Sequence, residues 1–351
     1  DFSNQWTPGE DVVLVRNEQY WAEKAPLERM RFKSIKDDLG RLVAYRNGEG
    51  SMMLPTSPQF NKVLREEPDF EKTSYALKWT NMRCGYSFIA WQCGPRNGKA
   101  TPFFDKRVRR AMTMLLDRER MIRDIWDGIG IVSKGPNNPE SPASDPSVPP
   151  LPYDPEKAKQ MISDYESSTG TQVKVKYGTT TSQINAQTAE LLKGYFNAIG
   201  VDFEYTQVPQ DSYITNALFG VPDFYMYGWR NHAGVYADGQ YYWWHSANAA
   251  PDGSLALNFG RVRDPIVDKG LETARSGKTE EERTKAAEDV NREMAKQCYQ
   301  IPTSWTLWGT PHLPKVQGIG SWILPDGSKS RDGAGFSGQF WTQTLWIDPS
   351  A

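Results

Sequence analysis

At 351 residues, the chain is long enough to form two domains, or one large domain, around a substantial hydrophobic core. Its formal net charge of −2 gives no electrostatic reason to expect a nucleic acid or an anionic membrane surface as a partner. Hydrophobic residues make up 38% of the chain, but no stretch approaches the ~20 apolar residues that a transmembrane helix requires.

The first part of the chain is typical of short strands followed by capped helices. A β-branched run at 12–15 and an apolar–polar alternation at 30–35 predict strands, and residues 39–47 predict a short helix. Asp105 and Asp117 are suitable N-caps, because apolar side chains recur at helical spacing behind each of them.

The middle of the chain has the pattern of an α/β domain. A proline-rich stretch at 134–152 predicts an extended surface loop, because proline fixes φ and removes a backbone donor. Strands and helices then alternate, which is α/β wiring. The predicted order is a helix from Pro155, strand 173–177, helix 183–199, strand 201–206, helix 212–219 and strand 223–228.

A charged helix at 278–296 and a strand at 301–307 follow. Thr279 and Glu282 have the spacing of a capping box at the start of this helix. Two ion pairs at i,i+4 spacing are predicted on its exposed face, Glu281 with Lys285 and Glu288 with Arg292.

The cysteines do not predict a disulfide or a metal centre. Cys84 and Cys93 lie in an apparent strand, where nine positions span roughly 30 Å, too far for a disulfide. With Cys298 they are the three cysteines of the chain, and no Cys-x-x-Cys motif occurs. We therefore expect three half-buried thiols and neither a metal nor a cofactor.

Signatures of catalysis are also missing from the sequence. It contains no Gly-x-Ser-x-Gly elbow, no phosphate-binding P-loop and no His-Glu-x-x-His motif. The paired acids Asp37–Asp38 and Glu66–Glu67 lie in polar segments, where we expect them to be solvated. No catalytic residue is predicted, and nothing in the sequence specifically indicates an enzyme.

Several short phrases occur in a fixed order along nearly the whole chain. They are Trp-Thr-Pro-Gly-Glu-Asp at 6–11, Arg-Asn-Glu-Gln-Tyr-Trp at 16–21, Pro-Phe-Phe-Asp-Lys-Arg-Val-Arg-Arg-Ala at 102–111, Pro-Tyr-Asp-Pro-Glu-Lys-Ala-Lys at 152–159, Asp-Phe at 223–224, Gly-Trp at 228–229 and Ile-Pro at 301–302. In this order and spacing they resemble the later part of family 5 extracellular solute-binding proteins, the peptide- and nickel-type receptors of ABC importers.

The resemblance implies a periplasmic binding protein-like α/β lobe, with a mixed central sheet flanked by helices, plus segments that belong to the other lobe. Residues 24–318 are expected to form the C-terminal lobe, residues 1–23 to cross from the N-terminal lobe, and residues 319–351 to return to it. The N-terminal portion and a secretory signal are expected upstream of this chain. A monomeric, periplasmic or otherwise extracytoplasmic protein is implied.

The main predicted site is the segment 225–244, because ligands of open α/β sheets gather near strand ends. Its candidate ligand residues are Trp229, Arg230, Asn231, His232, Tyr236 and Asp238. In the family, the segment after Gly-Trp lines the ligand cleft, and peptide-binding members carry an acidic residue three places after the Trp. His232 has that place here and is a poor partner for an ammonium group, with Asp238 as the alternative.

Two further residues complete the predicted site. Tyr213 is the last residue of the strand-to-helix turn at 207–213, where the family often places a ligand-facing side chain. Trp91 alternates with Tyr86 and Phe88 on an apparent strand that borders the cleft in the family.

The expected function is to bind a peptide-like solute in a cleft between two lobes and deliver it to the membrane permease of an ABC importer. An oligosaccharide is the first alternative solute, because the rings at 241–244 would form a platform for sugars; nickel chelates and opines follow. A solute-sensing domain of a regulator is a different class, and it would have a DNA-binding region upstream.

Overall fold

The computed structural model describes most of the chain. The described residues are 10–35, 37–54, 59, 74–77, 85–91, 98–128, 130–137, 143–144, 147–220, 226–231, 240–306, 308–319, 327 and 342–350. No helix within these ranges is both long enough and apolar enough to cross a lipid bilayer.

Helices and strands alternate between residues 155 and 231, as the α/β prediction requires. The described helices are α1 (Asp38–Arg46), α2 (Lys106–Met114), α3 (Arg118–Ile125), α4 (Pro155–Thr169), α5 (Gln183–Ala198), α6 (Gln210–Phe219), α7 (Tyr241–Trp244), α8 (Pro265–Ser276) and α9 (Glu280–Gln297). The described strands are β1 (Val12–Val15), β2 (Arg29–Phe32), β3 (Ser74–Leu77), β4 (Gly85–Trp91), β5 (Gly130–Val132), β6 (Lys174–Thr180), β7 (Asp202–Val208), β8 (Met226–Asn231), β9 (Gln300–Thr306), β10 (Trp308–Pro311), β11 (Val316–Gln317) and β12 (Trp346–Ile347).

The chain divides into two compact units. One comprises residues 83–306, and the other comprises residues 1–82 together with 307–351. The predicted assignment of 24–318 to one lobe, with 1–23 and 319–351 belonging to another, concerns lobes rather than these units and stays a prediction.

The larger unit contains a six-stranded mixed sheet with the order β5-β9-β4-β8-β6-β7. Strand β6 pairs in parallel with β7 and with β8, whereas β4 is antiparallel to both β8 and β9. This sheet, with its helices, confirms the predicted α/β class. Of the predicted strand at 223–228, residues 226–228 are described, and they lie in β8, which continues to Asn231.

Helix α5 packs its apolar stripe against the parallel strands. Ala189, Leu192 and Phe196 are fully buried on this stripe, and Phe196 stacks on Phe203 of β7 at 4.9 Å between ring centroids. Their spacing of three and four residues places them on one face of the helix. Gly200, at φ 84°, ends the helical segment and leads the chain back into β7.

The ends and the exposed face of α9 differ in detail from the prediction. Thr279 accepts from the Glu282 amide at 3.1 Å, but the Glu282 carboxylate accepts from the amide of Lys278 rather than from that of Thr279. On the exposed face, Lys285 and Arg292 both contact Asp289, which lies between them in sequence and was not among their predicted partners.

The proline-rich stretch at 134–152 is without helix or strand in its described residues, but it is not entirely on the surface. Asn137 and Ala143 are buried, and the Asn137 amide donates to the carbonyls of Ala143 and Ala287 at 3.0 Å each. The prediction of a surface loop was therefore wrong for this part, where a buried asparagine bonds the carbonyl of Ala143 within the stretch and that of Ala287 in α9.

Among the cysteines, Cys298 is a free thiol and is buried rather than half-buried. It directly follows α9 with a left-handed φ of 52°. Burial raises the pKa of its thiol, which keeps the sulfur protonated. Cys84 and Cys93 lie outside the described residues.

Among its described residues, the smaller unit contains α1 and three two-stranded pairs, β1 with β2, β3 with β10, and β11 with β12. Leu42, Tyr45 and Met53 form a small apolar cluster with Leu313. Backbone bonds from the Met53 amide to the Pro311 carbonyl and from the Leu313 amide to the Ser51 carbonyl, both 2.9 Å, join segments that are distant in sequence.

Asp105 caps α2, as predicted, by accepting from the Arg107 amide at 2.7 Å. The Arg107 guanidinium also bonds its carboxylate and lowers the pKa of Asp105 below 3.8. Asp105→Ala is expected to lower the free energy of unfolding by about 1 kcal/mol in urea titrations at pH 7.

The Asp105→Asn variant keeps a side-chain oxygen that can cap the helix but removes the negative charge. A lowered folded-state pKa gives stability that is present above pH 3.8 and is lost as the pH falls through the folded value. The wild-type advantage over Asp105→Asn should therefore shrink in urea titrations as the pH falls below 3.8. An advantage that stays constant with pH would contradict a role for the charge.

Candidate functional site

Three parallel strands end at one edge of the large sheet. Thr180 ends β6, Val208 ends β7 and Asn231 ends β8, and the parallel pairing of β6 with both neighbours brings these ends together. The backbones of Trp229 and Arg230 lie just before Asn231 in β8. We call this edge the carboxyl edge. It is where open α/β sheets bind ligands.

The register does not bring Trp91 to the carboxyl edge. Trp91 pairs with Met226 at the start of β8, whereas Tyr86 pairs with Asn231 at its end. Five residues of strand separate these two positions, roughly 17 Å along β8. The aromatic residues of β4 that pair near the carboxyl edge are thus Phe88, opposite Trp229, and Tyr86, opposite Asn231. A ligand contact of Trp91 stays a prediction.

Uncharged polar groups join the ends of β6 and β7. The Thr180 carbonyl accepts from the Gln207 amide at 3.1 Å, and the Thr180 hydroxyl accepts from the Asn185 amide at 2.5 Å. Thr180 is buried, and Asn185 lies in the first turn of α5. The sequence analysis did not identify Thr180 or Asn185, and it included Gln207 only as the first residue of the turn at 207–213. Their signal was the run of hydroxyl residues at 179–182 directly after a predicted strand.

Tyr213 is buried behind the carboxyl edge. Its side chain is 3% exposed, and its hydroxyl donates to the Gly228 carbonyl. Burial raises the pKa of Tyr213 well above 10, so the phenol is a neutral donor at physiological pH. Its ring lies 6.3 Å from that of Tyr227. A direct solute contact of Tyr213 stays a prediction.

Gly228 requires the absence of a side chain. A Cβ at this position would overlap the hydroxyl oxygen of Tyr177, which is 2% exposed. Burial raises the pKa of Tyr177, so this hydroxyl is uncharged too. Gly228 therefore lies between two tyrosine hydroxyls, one near its Cα and one on its carbonyl.

The rings at 241–244 mostly have partners within the protein. The Trp244 indole donates to Gln240 at 3.1 Å, and Gln240 in turn donates to the Pro136 carbonyl at 3.1 Å. Tyr241 stacks on His245 at 4.3 Å. Tyr242 is 52% exposed. These contacts weaken the idea of a sugar platform, for which several rings must be accessible together.

His232, Tyr236 and Asp238 lie outside the described residues, so their predicted ligand contacts stay predictions. Within the described part of the chain, no group of three or more His, Cys, Asp or Glu side chains is arranged to hold a metal ion. A cavity of about 180 Å³ lies in the smaller unit, beside Tyr20, Leu27 and Met30. None of the predicted site residues that the structure describes is among the residues that line it.

Relatives and solved structures resemble this chain at low identity. The haem-binding protein A of Haemophilus influenzae is 24% identical over 88% of this chain and 54% of its own length, and the di/tripeptide-binding protein 2 of Pseudomonas aeruginosa is 23% identical over 88% and 55%. The oligopeptide-binding protein AppA of Bacillus subtilis, solved with a nonapeptide, matches with a TM-score of 0.77 and 19% identity over 98% of this chain and 65% of its own.

A periplasmic binding protein of Helicobacter pylori, DppA, solved with the peptide STSA, gives a TM-score of 0.76 at 20% identity, over 90% of this chain and 58% of its own. At these identities the likeness establishes the fold, a periplasmic binding protein-like one, as predicted. Most of this chain matches these curated relatives, and the match spans about half of the length of each relative.

Gly228→Ala is expected to lower the free energy of unfolding by about 2 kcal/mol, because the new methyl group would overlap the Tyr177 hydroxyl. Gly228→Ala with Tyr177→Phe should regain part of this loss, although ring carbon Cζ stays at 3.1 Å. Gly194→Ala in α5, where nothing lies within 4 Å, is the control and should be neutral or stabilising. If urea unfolding shows no recovery in the double variant, the overlap is not the cause.

The family model of bacterial extracellular solute-binding proteins, family 5 Middle, matches residues 3–251. The match covers more than half of the chain and includes β8 and the carboxyl edge. It confirms the resemblance carried by the motifs at 6–11, 16–21, 102–111 and 152–159. This chain therefore belongs to the family 5 bacterial extracellular solute-binding proteins.

Proposed function

We propose that this chain is part of the solute-binding component of an ABC importer and that its carboxyl edge binds a peptide-like solute. The observation that carries the proposal is the chemistry of that edge in a family 5 protein. Asn185 and Gln207 each donate to Thr180 and keep a further amide hydrogen and an amide oxygen without formal charge. Such groups match the alternating donors and acceptors of a peptide main chain.

The relatives support a peptide over other solutes. Proteins with 23% identity to this chain are named as di/tripeptide-binding, and two solved structures that share its fold contain peptides. Other matches are named for haem binding or were solved with a nickel–histidine complex or mannopinic acid. Because the rings at 241–244 mostly have partners within the protein, we favour a peptide over an oligosaccharide as the solute.

The remaining features of the proposal follow from this role. Residues 24–318 would form one lobe, and 1–23 and 319–351 would belong to the second. Closure of the two lobes over the solute would present the complex to a membrane permease, and differential affinity of the solute for the closed state would drive closure. The protein would act outside the cytoplasm as a monomer, without catalysis.

Native mass spectrometry of the natural full-length protein, purified without refolding, tests the class of solute. We expect added mass that fragments into amino acids. Added mass in hexose steps would contradict a peptide solute. A bare protein would next be incubated with a random tripeptide library and desalted, and failure to retain any peptide would also contradict the proposal.

Trp229→Ala is expected to weaken retention of the tripeptide library about tenfold, because a large flat side chain would be removed from the end of β8. The midpoint of thermal unfolding should stay close to that of the wild type. Trp21→Ala removes an indole that is 88% exposed and serves as the matched control. Equal retention by the two variants would exclude Trp229 from the site.

A further inference from the structure

Tyr213 bonds to β8 next to the point where the backbone pairing of β8 with β6 ends. On one side, β8 pairs with β4 as far as Asn231. On the other side, its pairing with β6 consists of Tyr177 with Met226 and Gly178 with Tyr227. The next residue of β8 is Gly228, and its carbonyl accepts from the Tyr213 hydroxyl. The Tyr213 side chain thus bonds the residue of β8 that follows its last pair with β6.

The position of the Tyr213 hydroxyl is itself well determined. Tyr213 lies in the first turn of α6, and its amide donates to the Pro209 carbonyl at 2.8 Å, directly after β7. Its ring packs in a buried row, because Tyr227 is fully buried and lies 5.7 Å from Phe259. Through its amide and its hydroxyl, Tyr213 therefore links the backbone just after β7 to the backbone of β8 at Gly228.

Gly228 has little freedom to move away from this bond. The Tyr177 hydroxyl lies so close to its Cα that no Cβ would fit. A shift of the strand toward Tyr177 is blocked, and a shift away from Tyr213 would break a hydrogen bond in a buried environment, which is costly. Gly228 is held from two directions, immediately before Trp229.

We propose that Tyr213 is a positioning residue, whose hydroxyl fixes the Gly228 carbonyl and thereby sets the backbone of Trp229, Arg230 and Asn231 for the solute without contacting it. This inference rests on the proposed function and refines the direct contact expected for Tyr213 from the sequence. Binding groups must be held within about 0.5 Å of their productive geometry, so loss of this one bond should reach the solute.

Tyr213→Phe removes the hydroxyl and keeps the ring. Tyr299→Phe is the matched control, because the Tyr299 hydroxyl donates to Asp264 at 2.9 Å and Tyr299 precedes Gln300, which lies at the opposite edge of the sheet. Both variants lose one phenol hydrogen bond in the same unit. A merely structural role predicts that they behave alike.

The test uses the natural full-length protein labelled with 5-fluorotryptophan, with the Trp229 fluorine signal assigned by Trp229→Phe. We expect Tyr213→Phe to shift or broaden the Trp229 signal and Tyr299→Phe to leave it unchanged. Retention of a random tripeptide library, measured by native mass spectrometry, should fall about fivefold in Tyr213→Phe and stay at the wild-type level in Tyr299→Phe.

Three outcomes would overturn the inference: an unchanged Trp229 signal in Tyr213→Phe, a shifted signal with full peptide retention, or equal loss of retention in the two Phe variants. A wild-type protein that retains no tripeptide would instead contradict the proposed peptide solute. The fluorine spectrum, which needs no solute, would still decide whether Tyr213 sets the end of β8.

Discussion

The parallel pairing of β6 with β7 and β8 is the constraint on which the larger unit depends. Parallel neighbours cannot be joined by a tight turn, so each must be reached through a crossover, as α5 provides between β6 and β7. All three strands therefore end at one edge, and α5 and α6 begin there. The meeting of strand ends with the first helical turns gathers backbone, hydroxyl and amide groups in one place.

Local signals were sufficient for elements whose stabilising contacts lie within a few residues. Asp105 and Asp117 cap their helices as predicted, and the apolar stripe of α5 is buried. Strand register was not predictable in this way. Tyr86 and Trp91 belong to one apparent strand, and which of them lies beside Asn231 depends on the pairing of β4 with a strand far away in the chain.

The role of Tyr213 and the contacts of Asp289 were missed for a related reason. Several partners can be equally close to a side chain in sequence, and the tertiary structure decides which of them it contacts. Tyr213 and Gly228 are 15 positions apart in sequence, so no local pattern predicts their hydrogen bond. Asp289 lies between two cations on its own helix, where three- and four-residue spacings compete.

The central position of β4 has a consequence for how the larger unit forms. β4 lies between β8 and β9, yet both partners come late in the chain: Ala90 pairs with Tyr227 on one side and with Gln300 on the other. Sheets that depend on such distant pairings fold slowly. Until synthesis has passed β9, one or both edges of β4 stay unpaired and open to strands of other chains, so this stretch is exposed to aggregation before folding is complete.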